Sequence, residues 1–287
     1  MKKTLVLILI ALMFLGGCSA DPYAEVSNSD EAVITVDGVD YTRGQFYDAM
    51  ISSDSTTLIT AKLVSMIYAT EIGDDADIIA QADTALANFK TAAGDYLSVY
   101  LSYYGYANIT AYYKDMILYL KQDALVRKYI EDNFDALVTK YQPKMVKMLQ
   151  TSSQADAEAA LAEIKAGADF AETTTKYGNG NYTGAEQLVY NTSTDVNSAV
   201  LTAINSYTAA GLMDAVVVND EGTLYNVIEI TSVDATAFKD TFIDTFASDD
   251  TMNSTALAYY VRKGNFTVYD EDVYNALSDS NPEYLDQ

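Results

Sequence analysis

The chain has 287 residues, with 41 acidic against 17 basic side chains for a formal net charge of −24, one cysteine, and no histidine or tryptophan. So acidic a chain cannot neutralise a phosphate backbone, which excludes nucleic acid as a partner. A lone thiol without imidazoles builds neither a disulfide framework nor a structural zinc site, so no metal or other cofactor is expected, and the 49% hydrophobic content must hold the fold by itself.

Met1-Lys2-Lys3 precedes an apolar run from Leu5 to Leu15 and then Gly16-Gly17-Cys18, the order of a secretory leader. The run is about 11 residues, roughly 16 Å as a helix, half of what a ~30 Å hydrocarbon core requires. It targets and does not span. Leu15-Gly16-Gly17-Cys18 resembles the bacterial lipobox. That resemblance implies a leader over residues 1–17, lipidation of Cys18, and anchoring at the extracytoplasmic face of the cell membrane. Residues 18–31 are polar and aperiodic, the composition of a flexible tether reaching roughly 20 Å.

Residues 32–41 alternate apolar and polar around Asp37-Gly38, which predicts a β-hairpin. Thr42-Arg43-Gly44-Gln45 fits a capping box, so a helix bearing Phe46 and Met50 starts there. After a loop at 52–55, Ile59, Leu63 and Met66 recur at helical spacing up to Gly73, and Ile79, Ala82, Leu86 and Phe89 do so before Gly94. Tyrosines crowd the next stretch: Tyr96, Tyr100, Tyr103 and Tyr104, then Tyr112, Tyr113 and Tyr119 on a helix that Asn108 caps. Helix continues to about Lys140, where Pro143 stops it.

From Lys144 the pattern changes to strand (145–149), a helix marked by Ala157, Leu161 and Ile164 and ending at Gly167, a helix carrying Phe170, strand (187–190), helix (196–204), and a hairpin of 215–218 with 223–231 around Asn219-Asp220-Glu221-Gly222. Phe238, Phe242 and Phe246 at fourfold spacing return the chain to helix, followed by Leu257 and Val261, a short strand at 266–268, and an Asp270-capped helix with Val273 and Leu277.

Several pieces share one order with a known family. Residues 33–46 are similar to the opening hairpin and helix of PrsA-type extracytoplasmic foldase lipoproteins, which join a SurA-like helical chaperone domain to a parvulin-type peptidyl-prolyl isomerase domain. Residues 157–170, ending Ile-Lys-Ala-Gly-Ala-Asp-Phe, resemble the first parvulin helix and its turn, residues 222–230 the last hairpin strand, and residues 261–277 the segment that returns to the N-terminal domain. The resemblance implies an α+β fold. A mainly helical chaperone domain with a small hairpin (32–141) is completed by 234–287, and a parvulin-like α+β domain (142–233) is inserted. It also implies partly folded secreted polypeptides as partners, with the membrane reached through the N-terminal lipid.

Active parvulins carry one histidine on the first strand and one on the last. Aligning 145–149 and 225–228 with those strands places Lys147 and Asn226 at the two positions, and the Gly-rich family segment is reduced to 184–188 in a register the alignment leaves open. An isomerase fold without its histidines argues against catalysis. Tyr96, Tyr100, Tyr103 and Tyr104 are candidates for client contact, since a tyrosine offers apolar area and a polar tip at low entropic cost; half-burial in a helical core is the other reading. A surface lipoprotein that captures a carbohydrate or peptide ligand is the alternative function. The missing tryptophan and the lack of repeated βαβ units weigh against it.

Overall fold

A computed structural model describes residues 26–36, 39–264 and 266–285; Cys18, the leader and the Asp37-Gly38 turn lie outside them. The fold is α+β, and the chain divides into two compact units, Met1–Asp75 with Leu257–Gln287, and Ala76–Ala256. Among the described residues no helix is long and apolar enough to cross a membrane.

In the first unit, β1 (Ala32–Val36) and β2 (Val39–Thr42) pair antiparallel, Val36 opposite Val39. Helix α1 (Arg43–Glu71) follows directly. Its capping box is complete: the Gln45 amide donates to the Thr42 hydroxyl, and the Thr42 amide donates to Gln45 Oε1 at 2.9 Å, satisfying two of the four amides a helix start leaves orphaned. The expected loop at 52–55 does not form, and α1 runs through it. Ser, Asp and Thr are weak helix formers but not breakers, and no proline interrupts the stretch. The first true stop is Gly73, at φ +68.

Residues 26–31 are more ordered than a tether. They turn back onto the start of α1, the Gly44 amide donating to the Ser29 carbonyl at 2.8 Å and Arg43 pairing with Glu31 at 2.6 Å. The C-terminal segment completes this unit. Helix α11 (Glu271–Ser280), capped by Asp270, lies along α1, and Leu277 and Tyr284 are buried with Leu63 and Tyr68. The strand expected at 266–268 does not form, and among the described residues this run belongs to neither sheet.

The second unit opens with α2 (Ala76–Ala93), a short 3₁₀ turn (Gly94–Tyr96), α3 (Leu97–Tyr103), α4 (Ile109–Asp132) and α5 (Phe134–Tyr141). Asn108 caps α4 through the Ala111 amide. Tyr112 stacks on Phe89 at 4.5 Å and Tyr113 donates to Asp83 at 2.6 Å, tying α4 to α2. Gln142, left-handed at φ 48, ends α5 just before Pro143.

A sheet then forms from β3 (Lys144–Thr151), β4 (Glu186–Val189), β5 (Gly211–Leu212), β6 (Val217–Val218) and β7 (Tyr225–Ser232), in the order β4-β3-β7-β5, with β6 also on β7. Helices α6 (Gln154–Lys165) and α7 (Phe170–Tyr177) cover one face over Leu149, Ala157, Ala160, Phe170 and Val227. Helix α8 (Ser198–Ser206) covers the other over Val146, Met148, Val200, Ile204 and Ile228. Buried Lys144 fastens α8, its ammonium donating to the carbonyls of Ile204 at 2.7 Å and Asn205 at 3.1 Å, where a helix C-terminus favours a cation. Helix α9 (Lys239–Ala247) closes the unit. Its Phe242 and Phe246 form an aromatic column with Phe134, Tyr141 and Tyr190. Helix α10 (Asp250–Lys263) follows, and the chain returns to the first unit within it, at Leu257.

Candidate functional site

Strands β3 and β7 form the centre of the sheet, and their register decides which side chains meet. Lys147 stands opposite Glu229, Met148 opposite Ile228, Leu149 opposite Val227, and Gln150 opposite Asn226. Successive side chains point to opposite faces of a sheet. Gln150 and Asn226 therefore share the α8 face with Met148 and Ile228, whereas Lys147 lies on the other.

The structure thus does not bring Lys147 and Asn226 together. Lys147 forms a partly exposed ion pair with Glu229 at 3.5 Å. The cross-strand partner of Asn226 is Gln150, which the sequence alignment passed over. Strands 76 residues apart carry no register signal in their own residues, and a slip of one residue reverses every side chain. One signal was available: Val146, Met148 and Gln150 alternate on one face, so a polar residue closes an otherwise apolar series.

Gln150 and Asn226 are the hub of a buried amide chain. Asn226 Nδ2 donates to the Val217 carbonyl at 3.1 Å, Gln150 Nε2 donates to Asn226 Oδ1 at 3.0 Å, and Gln150 Oε1 accepts from Asn179 Nδ2 at 3.0 Å and Asn181 Nδ2 at 2.6 Å. Asn226 is fully buried and Gln150 is 6% exposed. The chain has one possible direction. A carbonyl only accepts, so Asn226 turns its NH₂ to Val217 and its oxygen to Gln150, which leaves the Gln150 oxygen for the two loop asparagines. The Asn179 amide donates to the Gln150 carbonyl at 2.8 Å, fastening that loop to the end of β3.

Downstream of this loop, Gly184 (φ +77) is all that close packing allows: a Cβ there would lie 2.5 Å from Thr174 Oγ1 and 2.9 Å from the Ala171 Cα. The contact sets how the chain passes α7 into β4, and it fixes the register of 184–188, since Gln187 pairs with Val146 and Leu188 with Met145. Tyr182 packs against the α8-side cluster, and burial, with Asp195 adding to it, pushes its hydroxyl above the usual tyrosine range.

Chemically, this arrangement consists of hydrogen-bond donors and acceptors. Amides neither hold nor release protons near neutrality, and both amide oxygens and one N–H of each amide are already engaged inside the protein. Among the described residues no group of three or more carboxylate or thiol side chains is placed to hold a metal ion.

The tyrosine candidates lie elsewhere in the unit, on the 3₁₀ turn, α3 and its C-cap. Tyr96 is 69% exposed, Tyr100 45%, Tyr103 80% and Tyr104 62%. Only Leu101 anchors α3 inward. Tyr103 and Tyr104 meet edge to face at 5.1 Å, which holds two rings in solvent with a fixed mutual orientation.

No protein-family model matches the chain, and no curated protein matches it in sequence. Solved structures do. The foldase protein PrsA from Streptococcus pneumoniae is 18% identical, with 88% of this chain and 99% of that chain covered, at a TM-score of 0.42. A peptidylprolyl isomerase (PrsA) from Bacillus cereus is 13% identical with the same coverage at 0.48. The foldase protein (PrsA) from Lactococcus lactis is 19% identical, covering 86% and 98%, at 0.39. Crystal structures of PrsA foldases are thus among the solved structures to which this chain is similar.

Proposed function

We propose that this protein is a membrane-anchored extracytoplasmic chaperone that binds partly folded secreted chains, and that its parvulin-like segment, residues 142–233, has lost prolyl isomerase catalysis. The exposed tyrosine surface carries the first half. Four rings between 96 and 104 stand in solvent while their neighbours Tyr112 and Tyr113 do the packing. A rigid amphipathic ring suits contact with varied apolar and polar segments, and the net charge of −24 steers basic chains towards the surface. The sealed amide chain carries the second half. Lowering a barrier of ~18–20 kcal/mol to peptide rotation requires groups that touch the twisted amide in the transition state, and Gln150 and Asn226 are turned inward to each other.

Light scattering of an aggregating client tests the chaperone role. The full chain suppresses aggregation, and replacing Tyr100, Tyr103 and Tyr104 together by serine weakens that suppression; no suppression by the wild type rejects the role. A proline-peptide isomerisation assay tests the loss of catalysis. Wild-type turnover indistinguishable from buffer is expected, with Gln150→His plus Asn226→His as the control that puts two histidines in cross-strand register. Measurable wild-type turnover rejects the loss.

A further inference from the structure

We infer that the first unit carries a two-pocket groove for an extended polypeptide segment in which apolar side chains are followed by a basic residue. Two cavities adjoin along α1. One, of about 580 Å³, is lined by Leu58, Leu63 and Met66 with Phe266; the other, of about 370 Å³, by Tyr47, Val268 and Val273. Ile59, Phe266 and Tyr269 line both, so the cavities are neighbours sharing one wall. Each has the size to take a side chain of a passing strand, as alternate pockets do in peptide recognition by extended segments.

The surface around them is unusually apolar for a solvated helix. Leu58 is 58% exposed, Met66 54% and Tyr269 63%. Exposed apolar side chains gathered in one place mark a binding surface, and an unbranched methionine at the rim adapts to different side chains.

Charge selects the occupant. Asp270 lines only the smaller pocket, with Asp48 and Asp272 close enough that all three act on the Tyr47 hydroxyl, which burial and these carboxylates push up to about 12. Lys62 lines the larger pocket and not the smaller. The groove is therefore polarised, and it orients a segment with its basic residue at the Asp270 end. A second copy of this chain brings another −24 and an anionic lipid surface brings like charge, so both are disfavoured at the acidic end.

This inference rests on the polypeptide-binding reading above. The test is fluorescence anisotropy on the full chain, with a labelled peptide carrying two leucines and trailing lysines, its lysine-to-glutamate counterpart and its leucine-to-serine counterpart. The lysine peptide binds, and both counterparts bind at least about tenfold more weakly. Leu58→Asp and Met66→Asp, exposed positions whose thermal melts check the fold, weaken it by a similar factor. A benzophenone-bearing peptide crosslinks to the wild type at 58–66 and 266–269, which reads the site without relying on any variant.

Equal binding of the three peptides overturns the inference, as does crosslinking elsewhere. So does a dimer in sedimentation that Met66→Asp dissolves, or binding to anionic vesicles that the peptide does not displace. Client aggregation measured on the same wild-type sample separates the two failures: suppression without groove binding sinks the groove alone, and no suppression sinks the chaperone reading.

Discussion

Two polar pairs cross the same two strands three residues apart, and they differ in every physical respect. Lys147 and Glu229 are charged, about one-third exposed and 3.5 Å apart. Gln150 and Asn226 are neutral, buried and bonded at 3.0 Å within a chain that ends on a backbone carbonyl. The first pair is solvated whether or not it forms, so its net contribution is small. The second has no water to fall back on, and each member leaves an orphan if the other is removed. A residue's place in the sheet therefore decides whether it can be exchanged, and its chemical type alone does not.

The largest expected effect comes from breaking the buried pair. Asn226→Leu strands the Gln150 amide and removes the donor to the Val217 carbonyl, a loss of about 2–4 kcal/mol from two unsatisfied buried groups. Urea unfolding measures it as a lowered midpoint at unchanged slope. Adding Gln150→Leu removes the stranded amide on β3 and is expected to recover part of that loss, while freeing Asn179 and Asn181. A double-mutant cycle then reports a coupling energy well above zero. A cycle near zero refutes the interdependence of the chain.

The amide chain does not titrate, whereas the first unit does, and pH separates them. Burial raises Tyr68 from 10.0 to about 12, with Tyr284 contributing, and burial together with Asp270 does the same for Tyr47. The folded state holds these protons more tightly than the unfolded chain. Their contribution is thus complete below pH 10 and is lost as pH rises through about 12. Unfolding midpoints should fall across that window, and Tyr68→Phe should flatten the fall. Asn226→Leu should shift the whole profile down without changing its shape. An unchanged alkaline slope in Tyr68→Phe counts against the buried-tyrosine assignment.

The smallest effect is expected at the exposed pair. Lys147→Met costs no more than about 1 kcal/mol, and high salt reduces the difference from wild type. A loss as large as that of Asn226→Leu means that the two pairs are not distinguished by burial.

Much of the fold was legible locally because local chemistry carries it. Thr42 and Gln45, Asn108, and Asp270 mark their helix starts by hydrogen bonds within three residues, which short sequence spans contain in full. The changeover at Lys144 and a last strand at 223–231 follow from the pattern of residues, and the strand forms at Tyr225–Ser232. Two local expectations differ from the structure for one reason. Residues 52–55 have a loop's composition, yet helix continuity is set by the whole of α1 and not by four weak residues. Residues 266–268 have a strand's composition, but a strand exists only where a partner offers a ladder.

By itself, the sequence determined the acidity, the absence of imidazole chemistry, the caps, and the order of helices and strands, because each depends on residue type and near-neighbour spacing. Only the tertiary structure decided that Asn226 answers to Gln150 and not Lys147, that Tyr96, Tyr100, Tyr103 and Tyr104 face solvent, and that Phe266, Thr267 and Tyr269 line a cavity with α1. Register, burial and cavity are properties of residues distant in the chain, and a strand's twofold alternation makes a one-residue shift reverse the answer.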